Sequence, residues 1–356
     1  MQQPSTSWTL EFQKAFKNLR ELYRFLDWKL DPELEVVAQK YPIFIPQNLA
    51  LKIKQQGPEG VLAREFLPFI KELGDEGMED PIGDKQYHKA PQLIHRYQSR
   101  ALFTPTNICP VHCRYCFRKN ELNQKDELFD ADFEETLQYL RSHSEISEII
   151  FTGGDPLTLS NEKLEKYLKA FSEIKSIRDI RFHSRYPVIM PERLDDGFSS
   201  LIQQFAPKFR TISLAIHANH VDEFDSAAIE KILKLSRSPI QLLSQTVLLK
   251  GVNNNSADLL SLFNLFLELN IRPYYLHHPD RVKGGMHFFL TLEEGRNIYA
   301  SLRSLLPGWA IPQYVIDIPG GHGKVNAFNP ESFQYSGKLI SQAGTLVAMP
   351  EPEAFN

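Results

Sequence analysis

Cys109, Cys113 and Cys116 stand at C-x₃-C-x₂-C spacing in Cys109-Pro-Val-His-Cys113-Arg-Tyr-Cys116, and they are the only three cysteines in 356 residues. Three thiolates in one short loop suit a soft metal centre, above all an iron–sulfur cluster. A [4Fe–4S] cubane held by three cysteines keeps one iron without a protein ligand, and a small molecule bound there can be activated. The competing readings fit less well. A disulfide framework calls for an even count in a small secreted chain. Structural zinc calls for four ligands, usually in two separated pairs, and His112 lies inside the triplet.

Other stretches also carry chemistry-bearing side chains. Asp317-Ile-Pro-Gly320-Gly321-His-Gly323-Lys324 ends a glycine-rich run on a lysine, but Ile318 and Val325 break the phosphate-loop spacing. Such a lysine can serve as a carbonyl nucleophile that holds pyridoxal phosphate (PLP); from this stretch alone a solvated turn lysine reads equally well. Gly153-Gly154-Asp155-Pro is a common turn, and also a place where backbone can approach a ligand and a carboxylate can meet an ammonium group. His183, Arg185, His217 and Asn219 each follow an apolar run, and Gln245 stands inside one. A buried glutamine needs a partner. His277 and His278 are adjacent, so on an extended chain they face opposite ways and do not share a metal. Asp280 and Asp317 read either as rim residues or as a pair that clamps a cation.

The elements that must position these groups follow from periodicity. Strands are predicted at Ala101–Pro105, Glu148–Thr152, Ile180–His183, Thr211–Ile216, Ile240–Val247 and Arg272–Leu276, with helices near 132–143, 161–174, 192–204, 222–236, 256–269 and 292–306. An apolar stretch, Ala310–Ile316, follows. This alternation implies a parallel sheet with right-handed crossovers, a partial (β/α)₆ TIM-like barrel of α/β class. Chemistry in such barrels sits at the C-terminal strand ends, and the cysteine loop follows the first strand. Residues 1–90 read as a helical N-terminal region that covers the barrel, with one helix at 8–30, further helices at 43–56 and 60–73, and a loop from Asp75 to Pro91. Residues 91–330 form the core, and 331–356 a C-terminal tail.

These motifs together resemble the radical S-adenosylmethionine (SAM) superfamily and, within it, the lysine 2,3-aminomutase (KamA) family. C-x₃-C-x₂-C is the superfamily signature, with Tyr115 as the aromatic before its last cysteine. The resemblance implies that SAM chelates the fourth iron and is reduced to a 5′-deoxyadenosyl radical. It implies SAM contacts at Gly153, Gly154, Asp155, His217 and Gln245. His95-Arg96-Tyr97-x-x-Arg100 is similar to the family's PLP-contacting segment, and Lys324 to its PLP lysine. Arg118, two residues past Cys116, resembles the family's ligand for the substrate carboxylate, and Asp280 and Asp317 its two acids for the distal ammonium group. The implied reaction is the 2,3-migration of the α-amino group of L-lysine to give β-lysine. Two acids at the distal end also disfavour a glutamate-like substrate by repulsion.

Within that family the short chain, the absence of cysteine after Cys116, and Cys-Arg-Tyr-Cys-Phe-Arg with Tyr-Tyr-Leu-His resemble the branch called EF-P β-lysylation protein EpmB, which makes (R)-β-lysine for elongation factor P. Asp-x-Pro-Gly-Gly-x-Gly-Lys is more similar to the catabolic branch, so the pathway stays open. The resemblance implies a reductant such as flavodoxin or ferredoxin. A net charge of −4 and a pI near 6.3 argue against a nucleic-acid partner. No apolar run is long enough to span a bilayer and no signal peptide is evident, so a reducing cytoplasmic location is expected. The alternatives are a radical SAM methyltransferase or maturase without PLP, and a plain iron–sulfur carrier. Neither needs Lys324 or the paired acids.

Overall fold

A computed structural model describes residues 7–121, 133–319, 321–328, 338–340 and 346–348. One ten-stranded sheet runs in chain order: β1 (His88–Ala90), β2 (Leu93–Tyr97), β3 (Arg100–Thr106), β4 (Glu148–Gly153), β5 (Asp179–Ser184), β6 (Thr211–His217), β7 (Gln241–Val247), β8 (Arg272–His277), β9 (Gln313–Ile318) and β10 (Gly323–Asn326). From β3 to β9 every neighbouring pair is parallel. Antiparallel hairpins, β1-β2-β3 and β9-β10, flank that parallel core.

The six predicted strands are all present, and the apolar stretch 310–316 supplies a seventh parallel strand, β9. The core strands are apolar on both faces because helices cover the outside. In β6, Ile212, Leu214, Ala215 and Ile216 are all buried.

The N-terminal region carries α1 (Ser7–Gln13), α2 (Leu19–Leu26), α3 (Glu33–Lys40), α4 (Gln47–Gln56) and α5 (Val61–Phe66). The crossovers carry α6 (Phe133–Ser142), α7 (Asn161–Ser172), α8 (Tyr186–Ile189), α9 (Asp196–Phe205), α10 (Ser226–Leu235), α11 (Ser256–Glu268) and α12 (Leu292–Leu305). Five of the crossover helices begin on a side-chain cap, from Ser160, Asp195, Asp225, Asn255 and Thr291. Each such cap contributes about 1 kcal/mol and fixes where a strand-end loop becomes helix.

The sheet order has two ends, yet the chain curls until they meet. The backbone N–H of Lys324 on β10 donates to the Tyr97 hydroxyl on β2 at 2.8 Å. The Tyr87 hydroxyl donates to the carbonyl of Gly321 at 3.0 Å. Arg96 Nη1 lies 3.8 Å from Asp317 on β9. The architecture is therefore a partial (β/α)₆ barrel with a seventh strand, joined along its seam by side chains.

Three expectations need correction. The helix predicted for 8–30 breaks in two, because Phe16 exchanges backbone hydrogen bonds with Ile45 and Asn18 caps α2. The apolar spacing there recorded burial rather than one continuous helix. The 75–91 loop contains a 3₁₀ turn at Asp84–Tyr87 and the strand β1. Lys324 is not a turn lysine; it lies in β10, directly across from Asp317. Position 320 and most of the expected tail 331–356 lie outside the described residues; within that tail, Lys338–Ile340 pairs with Leu346–Ala348. Among the described residues no helix is long and apolar enough to cross a membrane.

The glycine pair after β4 is required by its own chain. A Cβ on Gly154 would lie 2.4 Å from the carbonyl oxygen of Ile108, and one on Gly153, where φ is +104°, 2.6 Å from that of Thr106. Both contacts fall on the backbone that enters the cysteine loop. Gly154→Ala is therefore expected to destabilise the protein by about 1–3 kcal/mol. A urea midpoint matching wild type would contradict this packing argument.

Candidate active site

The strand ends and the cysteine loop enclose a cavity of about 280 Å³. Every residue to which the family resemblance assigns a role borders it, whereas Asn219 and His278, also singled out in the sequence, are buried outside its lining. Cys109, Cys113, Cys116 and Arg118 come from the loop after β3. Gly153, Gly154, Asp155, His217 and Gln245 come from the ends of β4, β6 and β7, and Asp280, Asp317 and Lys324 from the loop after β8, β9 and β10. Arg96, Tyr97 and Arg100 complete the wall from the β2-β3 hairpin.

The cysteine loop is moulded by the N-terminal region. The backbone N–H of His112 donates to the carbonyl of Phe44 at 3.2 Å, and that of Arg114 to the carbonyl of Glu65 at 3.1 Å. His112 Nδ1 lies 3.0 Å from the carbonyl oxygen of Pro42. Burial pushes the Cys113 and Cys116 thiols up, so a bare thiolate is disfavoured unless a metal compensates it. The three thiols also border a second, smaller cavity of about 70 Å³. Among the described residues no group of three or more Cys, His, Asp or Glu side chains converges as a single-ion site. A cubane spreads its thiolates over separate irons, and this donor set fits one.

Beside the loop lies a buried polar network that the sequence did not reveal. Arg185, at the end of β5, donates to Glu65 of α5 and, at 2.5 Å, to Glu223. It also donates to the Tyr115 hydroxyl, which lies 2.9 Å from His217 Nε2. Burial raises Glu223 to about 7, with Glu65 adding to the rise and Arg185 opposing it. Glu65 carried one faint signal. In Val61-Leu-Ala-Arg-Glu65-Phe66 it stands three residues after Leu62 and beside Phe66, on the side of α5 that is buried.

Asp155 is committed within its own chain. Its carboxylate accepts from the Leu157 N–H at 3.0 Å, the Ser184 hydroxyl at 3.0 Å and the Arg185 N–H at 2.6 Å. Burial still raises it to about 6 against those bonds. Polar atoms without partners among the described residues lie nearby: Gln245 Oε1, His183 Nε2 and His277 Nε2 are all buried. Burial pushes His183, His217 and His277 well below the usual imidazole range, so all three are neutral. Orphaned polar atoms lining one cavity are open to a polar ligand or to water, and SAM presents matching groups.

From Lys324 back to the cysteine loop, charges alternate along the lining. The Lys324 ammonium pairs with Asp317 and lies 3.5 Å from His277 Nδ1. Asp317 faces Arg96, Arg96 pairs with Asp84, and Asp84 accepts from Arg118 at 2.7 Å. Asp84, only 4% exposed, is a second residue that the sequence did not reveal, because it sits in a polar stretch that reads as linker. Arg100 stacks on Tyr97 at 3.9 Å. Burial pushes Asp280 up to about 7, Asp317 adds to the rise, and Lys324 opposes it. The two acids are thus close enough to repel, and a cation between them relieves that repulsion. An amine, two acids and several arginines around one cavity fit a group that carries a phosphate and a carbonyl, as PLP does.

Comparison with known proteins agrees with this geometry. The Radical SAM superfamily pattern matches residues 103–263. A protein of Aquifex aeolicus, provisionally named as an L-lysine 2,3-aminomutase, is 35% identical over 90% of this chain and 87% of its own length. The L-lysine 2,3-aminomutase of Haemophilus influenzae is 32% identical over 89% of this chain and 94% of its own. The glutamate 2,3-aminomutase of Clostridioides difficile is 33% identical over 72% of this chain and 61% of its own. With the cysteine loop, the strand-end cavity and the facing lysine and acids in place, the chain belongs to the lysine 2,3-aminomutase family of the radical SAM superfamily.

Proposed function

We propose that this protein is an isomerase that converts L-lysine to β-lysine, using a [4Fe–4S] cluster, SAM and PLP. The observation that carries the reading is one cavity lined both by the three cysteines and by Lys324, its partner Asp317 and Asp280. When bound, the cluster and SAM supply the hydrogen-abstracting species, and PLP supplies the carbonyl carbon that carries the migrating nitrogen.

The chain's own residues have separable tasks. Cys109, Cys113 and Cys116 hold the cluster. Gln245 and His217, with the Gly153-Gly154 backbone, orient SAM beside it. Arg96, Tyr97 and Arg100 hold the PLP phosphate and ring, and Lys324 holds its carbonyl carbon. Arg118 takes the substrate carboxylate through its guanidinium fork. Asp280 and Asp317 take the distal ammonium group. That end disfavours glutamate, whose second carboxylate would face two acids. The electron comes from a low-potential donor such as a flavodoxin or ferredoxin, and we place the reaction in the cytoplasm.

Anaerobic protein reconstituted with iron, sulfide and PLP is expected to form β-lysine from L-lysine on addition of SAM and dithionite, and to leave L-glutamate unchanged. Chiral chromatography reads the product. An (R) product places the chain with elongation factor P modification and an (S) product with lysine catabolism. SAM cleavage without β-lysine would overturn the substrate assignment. Lys324→Ala is expected to lose the borohydride-trappable PLP while keeping its iron; a retained adduct would refute the role of Lys324.

Asp280 gives a pH signature. It is ionised only above about pH 7 in the free protein, and only the ionised form attracts an ammonium group. The KM for L-lysine should therefore rise as pH falls from about 8 to about 6, approaching tenfold per pH unit below the pKa. Asp280→Asn should raise KM and flatten this limb. An unchanged profile would remove Asp280 from the clamp.

A further inference from the structure

Glu72 is fully buried, yet it lies in a one-turn 3₁₀ segment, Ile70–Leu73, far in sequence from the cysteines. Its carboxylate accepts from the Phe69 N–H at 2.8 Å, which fixes it to its own turn. It also accepts from Arg114 Nε at 3.0 Å and Nη2 at 2.5 Å, and from Lys119 Nζ at 2.9 Å. Arg114 directly follows Cys113, and Lys119 comes three residues after Cys116. One buried carboxylate therefore grips the cysteine loop on both sides of its last cysteine.

Both cations border the 70 Å³ cavity that the three thiols also line. Arg114 Nη1 donates further to the carbonyls of Tyr41 and Pro42 at 3.1 and 3.3 Å. Lys119 Nζ donates to the carbonyls of Arg114 and Gly284 at 2.9 and 2.7 Å. With Glu72 that makes three acceptors, which uses all three N–H bonds of an ammonium and exceeds the two of a neutral amine. Two cations against one carboxylate give this wall one surplus positive charge. A [4Fe–4S]²⁺ core with three thiolates carries one net negative charge, so the wall and the cluster are complementary.

We propose that Glu72 is a positioning residue for the cluster, holding Arg114 and Lys119 so that the loop keeps its three thiols in register and faces them with one uncompensated positive charge. The inference rests on the cluster reading above. Outer-shell partners of this kind cost about 10–100-fold in metal affinity when removed. The surplus charge also favours the reduced cluster, because reduction adds negative charge beside it.

The test uses the full chain after anaerobic reconstitution, with wild type run in parallel. Glu72→Gln is expected to lose about tenfold or more in cluster affinity, read as iron retained under a chelator challenge. Glu72→Asp, which keeps the charge, should recover part of that loss. Borohydride-trapped PLP in the same samples reports whether the distant wall still folds. Lys119→Met keeps the Arg114–Glu72 pair and removes the surplus charge together with the Lys119 hydrogen bonds, so its reduced cluster should show a more negative midpoint potential by EPR-monitored titration. Iron retention equal to wild type in Glu72→Gln, or an unshifted potential in Lys119→Met, would overturn the proposal. A wild-type protein that holds no iron would instead sink the cluster reading itself.

Discussion

Glu65, Glu72 and Asp84 all precede the barrel in the chain, yet their carboxylates are buried against Arg185, Arg114 and Arg118 at its mouth. A buried guanidinium without a counter-ion is strongly disfavoured, and removing one partner of such a pair typically costs about 3–5 kcal/mol. Much of the charge that balances the cations crowding the cysteine loop and the cavity lining is therefore brought by the N-terminal region, with Glu223 and Asp317 supplying the rest. This makes the region a component of the site, with packing as its second task. The arrangement also explains why the loop can be short. Its backbone follows the strand of contacts offered by Phe44 and Glu65, and it needs no secondary structure of its own.

The same pairing sets up the electrostatics of the ligand wall. Arg118, Asp84, Arg96, Asp317 and Lys324 form a chain of alternating charge. Each member is paired with the next along the chain. An incoming phosphate, carboxylate or ammonium group enters a site whose partners are already oriented, and exchanges one ionic contact for another. Preorganisation of this kind lowers the cost of fixing a substrate before the chemistry begins.

The barrel was legible because its strands are apolar runs separated by helices with recognisable caps, and periodicity reports burial directly. The candidate site was legible where a motif joins unusual residues at fixed spacing, as in the three cysteines or the glycines before Lys324, and the structure brings those residues to one cavity. The paired carboxylates were not. Glu65, Glu72 and Asp84 are single acids in ordinary surroundings, and their partners lie 120, 42 and 34 residues away. Nothing local distinguishes such an acid from a solvated one. The split in the first predicted helix has a similar origin. Phe16 keeps the apolar spacing of a helix, but its backbone is taken by Ile45.

The seam between the hairpins has a consequence of its own. A barrel closed by a ladder of backbone hydrogen bonds can part only by losing them together. Here the two edges are held by a phenol on a backbone amide, a second phenol on a carbonyl, and a guanidinium facing a carboxylate. Those are separate side-chain contacts, not a ladder, and the parallel strands pair independently of them. Lys324 lies on this line, its backbone held on one side by the β9 ladder and on the other by the Tyr97 hydroxyl. The one lysine that lines the cavity among the described residues is thus set where the two edges of the sheet meet, and its placement depends on both.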